Sequence, residues 1–312
     1  MIMKHSGIDV SKNRLDIAIE GMKAVLSESN DSAGHQRLID RFASEGVTRI
    51  GLEASGNYEA AAVAALRRAG FTVLVLDPRQ IHGFRKFRNG KAKTDRIDAQ
   101  LILAAVSLLA PDRQAPDPRM PSFAEDLTMI EQIAEDICRL KTRRERYSAK
   151  ANLQLIDDNI KRLVKLKVKR MAHLTKRLKA HPDLAEKLDL LQSIPTIGPA
   201  TAVTFIIRMP ELGHLSRAEA AALVGVAPYN KDSGASSSDR HIAGGRVRLR
   251  KVVFMAAFSG SQKHNPALRI LYRRLIDAGK SHKVAVIACA RKLVHFANAV
   301  LARRKPWTEI PQ

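Results

Sequence analysis

The sequence predicts an α/β plus α protein: an N-terminal mixed sheet covered by helices, a central run of long helices, and a mainly helical C-terminal domain. Three observations predict it. Strand-like and helix-like patterns alternate through the first 110 residues. A segment with four prolines, PDRQAPDPRMP at 111–121, then breaks all periodicity. Beyond it, apolar residues recur at three- and four-residue spacing, the period of a helix face. The chain accordingly divides into segments 1–110, 111–189 and 190–312.

Taken in order, residues 5–10 (HSGIDV) form an apolar strand, 15–19 (LDIAI) an alternating one, and 23–26 (KAVL) a third, joined by short turns into an antiparallel meander. Residues 31–43 are helical, 49–53 (RIGLE) a strand, 58–68 an alanine-rich helix, and 71–76 (FTVLVL) a β-branched strand halted at Pro78. A meander followed by alternating helices and strands is the order of an RNase H-like sheet. Past the proline-rich break, Leu127, Ile130, Ile133, Ile137 and Leu140 mark one helix stripe, continued less regularly by Leu155, Ile160, Leu163, Leu166, Leu174 and Leu178. Such a stripe predicts a coiled coil or an antiparallel helical hairpin, and with it self-association. Residues 193–202 (SIPTIGPATA) resemble a helix-hairpin-helix, in which a tight turn at Gly198 presents backbone amides to a phosphate. A helix ends near Val224, and 225–245 is a loop rich in Gly, Ser, Asp and Asn.

The formal net charge is +22, which repels itself unless something anionic offsets it; nucleic acid is the usual partner. The charge is concentrated. Residues 139–179 carry 15 Lys and Arg against 3 acids, and 240–305 carry 16 against the single acid Asp277. The two cysteines, Cys138 and Cys289, are far apart and lack metal-binding neighbours, which argues against zinc and fits a reducing compartment. No long apolar run opens the chain, and the stretch around 101–110 is too short to span a bilayer, so a soluble, cytoplasmic protein without a membrane role is expected.

Four carboxylates stand out: Asp9 in GIDVSK, Glu53 in GLEASGNY, and Asp95 and Asp98 in KAKTDRIDA. A carboxylate among apolar strand residues is costly to bury unless a cation neutralises it. In this strand order Asp9 and Glu53 end neighbouring strands, while Asp95 and Asp98, three residues apart, share a helix face. Converging hard oxygen ligands suit Mg²⁺ or Mn²⁺ and phosphoryl transfer. Each acid alone has an ordinary explanation, a turn carboxylate or a charge at a helix start; Asp16, Glu20 and Asp77 are weaker candidates.

The motifs GIDVSK, LEASGNY, KAKTDRIDA, SIPTIGPATA and HNPALRILYRRLIDAGKSHKVAVIACARKL together resemble the DEDD transposases of insertion sequences, the insertion-sequence one-ten family related to the Piv and MooV invertases. The resemblance runs nearly end to end. It implies a RuvC-like N-terminal domain, a coiled coil, and a C-terminal transposase domain with a nucleophilic serine. It also implies an element-encoded RNA that guides the choice of donor and target DNA. By position after the GVAPYN turn, that serine is Ser233, with Ser236, Ser237 and Ser238 close enough to compete and Tyr229 as a fallback nucleophile. The basic residues beside these motifs, Lys93, Arg96, Arg240, Arg246, Arg248, Arg250 and Lys251, are the expected nucleic-acid contacts together with Gly198. Two other readings stand beside the guided transposase: a Holliday-junction-type nuclease using the carboxylates without a covalent intermediate, and a non-enzymatic nucleic-acid-binding protein.

Overall fold

A computed structural model describes residues 4–56, 58–88, 95–109, 117, 119–229 and 241–308, with the side chains of 95 and 96 left out. The chain divides into two compact units, 1–118 and 119–312, each with its own core.

In the first unit, β1 (Lys4–Val10), β2 (Arg14–Ile19) and β3 (Leu26–Ser29) form an antiparallel meander. Then follow α1 (Ser32–Glu45), β4 (Val47–Glu53), α2 (Ala60–Arg68), β5 (Thr72–Leu76), α3 (Pro78–Phe87) and α4 (Asp95–Leu108). The sheet order is β3-β2-β1-β4-β5, with β4 parallel to both β1 and β5. The third strand lies later than the 23–26 expected from the sequence. The alternation in KAVLSES is ambiguous by register, and pairing of Leu15 with Glu28 and of Ile17 with Leu26 selects the later segment.

Side chains alternate across the sheet. Ile8, Val10, Ile50 and Leu52 face one way, into a core with Leu38 and Phe42 of α1 and Leu66 of α2. On the opposite face, Leu74 and Leu76 pack with Ile81 of α3 and with Leu101, Ile102 and Val106 of α4. The strand β5 stops before Pro78 as the sequence predicts, but the helix α3 that follows was not expected from the sequence. Asp77 is an N-cap rather than a turn: its carboxylate accepts from Arg79 N at 2.7 Å, Gln80 reaches back to its amide, and Pro78 occupies the first turn, where a missing N–H costs nothing.

The second unit is helical: α5 (Met120–Arg144), α6 (Lys150–Lys179), α7 (Pro182–Gln192), α8 (Pro199–Arg208), α9 (Arg217–Val224), α10 (Val247–Ser259), a π-helical turn (Gly260–His264), α11 (Pro266–Asp277) and α12 (His282–Arg303). A two-residue ladder joins β6 (Pro228–Tyr229) to β7 (His241–Ile242). Helices α5 and α6 run antiparallel: Arg144 bonds Asp157 at 2.6 Å at one end, and Arg177 pairs with Asp126 at the other. Phe123, Leu127 and Ile130 of α5 and Leu174 and Leu178 of α6 join the main core. The α6 stripe is less buried than its periodicity suggests. Leu155 is 65% and Leu166 38% exposed, as is Val168 beside the stripe at 61%, because α5 covers only one side of the longer helix.

The sequence reading also placed the longest apolar stretch at 101–110. By length and composition α12 is the helix apolar enough to cross a membrane among the described residues, with a mean hydropathy of 1.6. Here it runs through the core of the second unit, burying Cys289, Leu293, Val294 and Ala297.

Candidate active site

Two glycines place the carboxylates. Gly7 of β1 and Gly51 of β4 are in register, and both lie on the face that α4 covers. A Cβ on Gly7 would stand 2.2 Å from Leu103 N, and one on Gly51 would stand 2.0 Å from a methyl of Val106. Only hydrogen fits in either place, so α4 lies directly on the two strands. Two residues further along each strand, on the same face by the pleat, come Asp9 and Glu53. One residue before Ala99, whose carbonyl overlies Gly7, comes Asp98.

Asp9, Glu53 and Asp98 thus line one pocket of about 470 Å³, together with Ala54, Ser55, Pro78, Ile81, His82 and Arg85. Asp98 is buried, and its Oδ1 accepts from an Arg85 guanidinium nitrogen at 2.5 Å. Asp9 and Glu53 are partly buried. Ser55 donates through both its amide and its hydroxyl to Glu59, at 3.1 Å each, which fixes the turn after β4. Arg85, His82 and Ser55 went unremarked in the sequence because the helix carrying two of them was not expected. The signal was present in DPRQIHGFR: a capped start, then Ile81, His82 and Arg85 at one-, three- and four-residue spacing.

Among the described residues no three acidic, histidine or cysteine side chains converge closely enough to share an ion. The fourth expected ligand, Asp95, begins α4, and its side chain lies outside the described residues. The three carboxylates line the pocket rather than clasp one point, as mutually repelling charges do when the positive charge beside them is an arginine. Their chemistry nonetheless fits a divalent ion. The set consists of hard oxygens at the ends of adjacent strands and on one helix, around a space large enough for a cation with its waters.

The weaker acids have other work. Asp16 is buried on Arg14 (2.9 Å) and Ser27 (2.6 Å), Glu20 pairs with His5, and Asp77 caps α3.

In the second unit, Ser233 and its neighbours Ser236, Ser237, Ser238 and Arg240 lie outside the described residues, as does Lys93 in the first; of Arg96 only the backbone is described. The residues that flank this segment pair with each other. Tyr229 pairs with His241 and Pro228 with Ile242. Below that ladder the backbones of Gly225 and Gly245, both left-handed at φ +83° and +68°, meet too closely for any side chain, and Arg250 donates to the carbonyls of Gly225 and Gly244.

The other expected nucleic-acid arginines are also held. Arg246 bonds both oxygens of Glu211, at 2.8 and 2.6 Å, and Arg248 shares Glu131 with Arg208. Lys251 is exposed, and so is Gly198 at the start of α8. Positive charge is dense on α12 as well. Burial pushes the His295 imidazole below its usual range, and the nearby charges of Arg291, Arg217 and Lys292 push it further the same way.

Comparison with known proteins gives a consistent set of similarities. Residues 6–156 match the DEDD-type profile of IS110, described as a transposase. Residues 188–273 match a second profile, the IS116/IS110/IS902 transposase family. The pilin gene-inverting protein of Moraxella bovis is 25% identical over 323 residues, covering 98% of each chain. That of Moraxella lacunata is also 25% identical, over 75% of this chain and 74% of its own. An uncharacterized 43.6 kDa protein of the insertion element IS110 from Streptomyces coelicolor is 31% identical over 42% of this chain and 31% of its own.

Proposed function

The chain belongs to the IS110-type DEDD transposase family and is an enzyme of DNA recombination; from that premise we propose that it cleaves and rejoins the strands of a mobile element with a carboxylate-held metal site and a serine nucleophile. The observation that carries the first half is the shared pocket of Asp9, Glu53 and Asp98, set at the ends of β1 and β4 and on α4.

In this reading the first unit is an RNase H-like, RuvC-like catalytic domain. The β3-β2-β1-β4-β5 order and the helices on both faces support it. Asp9, Glu53, Asp98 and Asp95 hold Mg²⁺ or Mn²⁺. A divalent ion held there stabilises negative charge on phosphoryl oxygens as a Lewis acid. Ser233 supplies the hydroxyl that attacks the scissile phosphorus, expelling a DNA oxygen and leaving a phosphoserine link whose bond energy is kept for rejoining.

The three segments 1–110, 111–189 and 190–312 divide the labour as catalytic domain, coiled coil and transposase domain. Donor and target DNA are the substrates, an element-encoded RNA selects them, and the chain works as a dimer or tetramer through its coiled coil. Exposed Leu155 and Val168 on α6 support the last point, and the dense one-signed charge of α6 supports a polyanionic partner.

The test is a nicked substrate carrying the element end. A covalent protein–DNA adduct that maps to Ser233 is expected from the wild-type chain. Cleavage without an adduct would replace this reading with the junction-nuclease one.

A further inference from the structure

Arg85 stands in the pocket for a structural reason. The capped start of α3 and the buried anchor Ile81, one turn earlier, aim it over the ends of β4 and β5. Its side chain is 17% and that of Asp98 9% exposed, so neither charge is tolerable there alone. Yet the pairing is incomplete. One terminal nitrogen reaches Asp98 Oδ1 at 2.5 Å, while Arg85 Nε is buried with no hydrogen-bond partner among the described residues. A guanidinium offers a planar fork suited to two acceptor oxygens, and here part of the fork is idle.

Resting on the reading of this pocket as the metal site, we propose that Arg85 stands in for the divalent ion. It neutralises Asp98 while no ion is bound. When a cation takes Asp98, the Arg85–Asp98 pair opens, and the freed fork takes a non-bridging phosphate oxygen of the DNA strand. The chemistry that recognises Arg85 is thus a phosphodiester arriving with the cation, so that loading of metal and seating of DNA are coupled.

The experiment uses the full chain with Mn²⁺ alone as the probe, comparing wild type with Arg85→Met and Arg85→Lys by calorimetry and thermal melting. Removing the competing charge is expected to tighten Mn²⁺ binding by roughly fivefold or more, a usual size for coupling between two ligands of one site. Arg85→Lys, which keeps the charge, is expected to stay near wild type. Mn²⁺ should also raise the melting temperature of Arg85→Met more than that of wild type, because it restores the lost counter-charge of Asp98. Should Arg85→Met be unfolded by itself, folding on addition of Mn²⁺ supports the exchange, and remaining unfolded at saturating Mn²⁺ overturns it. In the DNA arm, Arg85→Met is expected to lower the log–log salt slope for duplex at fixed Mn²⁺ by about 0.9, one phosphate contact; an unchanged slope overturns the phosphate half. Equal Mn²⁺ affinity in wild type and Arg85→Met overturns the role of Arg85 while leaving the metal site standing. Absence of Mn²⁺ binding in both overturns the metal site itself, and this inference with it.

Discussion

Gly7 and Gly51 face each other in register across β1 and β4, and α4 lies where either one's Cβ would be, with its backbone over Gly7 and its Val106 side chain over Gly51. This contact brings Asp98, which lies 89 residues after Asp9 in the chain, to the strand ends that carry Asp9 and Glu53. Gly7→Ala is therefore expected to lift α4. The nearest atoms are backbone, which cannot rotate away as a side chain can, so a destabilisation of about 1–3 kcal/mol or more is expected in urea melts. The same variant should bind Mn²⁺ more weakly. Unchanged stability would mean that α4 can retreat at no cost.

Asp9→Asn and Asp98→Asn each remove one negative oxygen from the pocket while keeping its shape. Recombination is expected to fall by at least two orders of magnitude, and DNA binding to persist, because the bulk of the basic charge lies elsewhere. A recombination assay beside a filter-binding assay checks both. Loss of binding in step with activity would count against a catalytic role for these acids.

Ser233→Ala is expected to abolish both recombination and the covalent adduct while leaving Mn²⁺ and nucleic-acid affinity at wild-type values. Retained recombination would assign the nucleophile to another residue or to water.

Binding to DNA and RNA should weaken steeply with salt, since each phosphate neutralised adds about 0.9 to the log–log slope on duplex. The structure sharpens which residues contribute. Lys251 is exposed, whereas Arg246 and Arg248 are held by Glu211 and Glu131. Lys251→Ala is expected to reduce the slope by about one contact. Arg248→Ala should instead lower stability, as it strips a partner from the partly buried Glu131. A flat salt profile for the wild-type chain would remove the polyanion from the account.

The two cysteines should react very differently. Cys138 is exposed, while burial pushes the Cys289 thiol up to about 11. A thiol reagent at pH 8 is expected to modify one thiol quickly in the native protein and both in denaturant, because the thiolate is the reactive form. Rapid native modification of both would mean that the α12 core opens readily.

Much of the candidate site was readable because it depends on short-range rules. The two-residue period of a strand puts Asp9 on the face of Gly7 and Glu53 on that of Gly51, and GIDV and GLEA carry that spacing openly. The neighbours supplied by α3 were not readable in the same way. Asp-Pro serves both a turn and a helix start, and the choice between them was made by Ile81 finding the core formed with Leu74 and Leu76.

By itself, then, the sequence determined the strand alternation, the helix stripes, the one-signed charge and the candidate carboxylates, all of which follow from backbone periods and composition within a few residues. Only the tertiary structure decided that α4 lies on the glycine pair and that Arg85 holds Asp98. It also decided that α12 is core, and that Arg246 and Arg248 are spent on partners 35 and 117 residues away. The reason is physical. A side chain's face is set by its neighbours in the chain, but its partner is whichever distant group packing leaves within reach with the opposite charge or a matching shape.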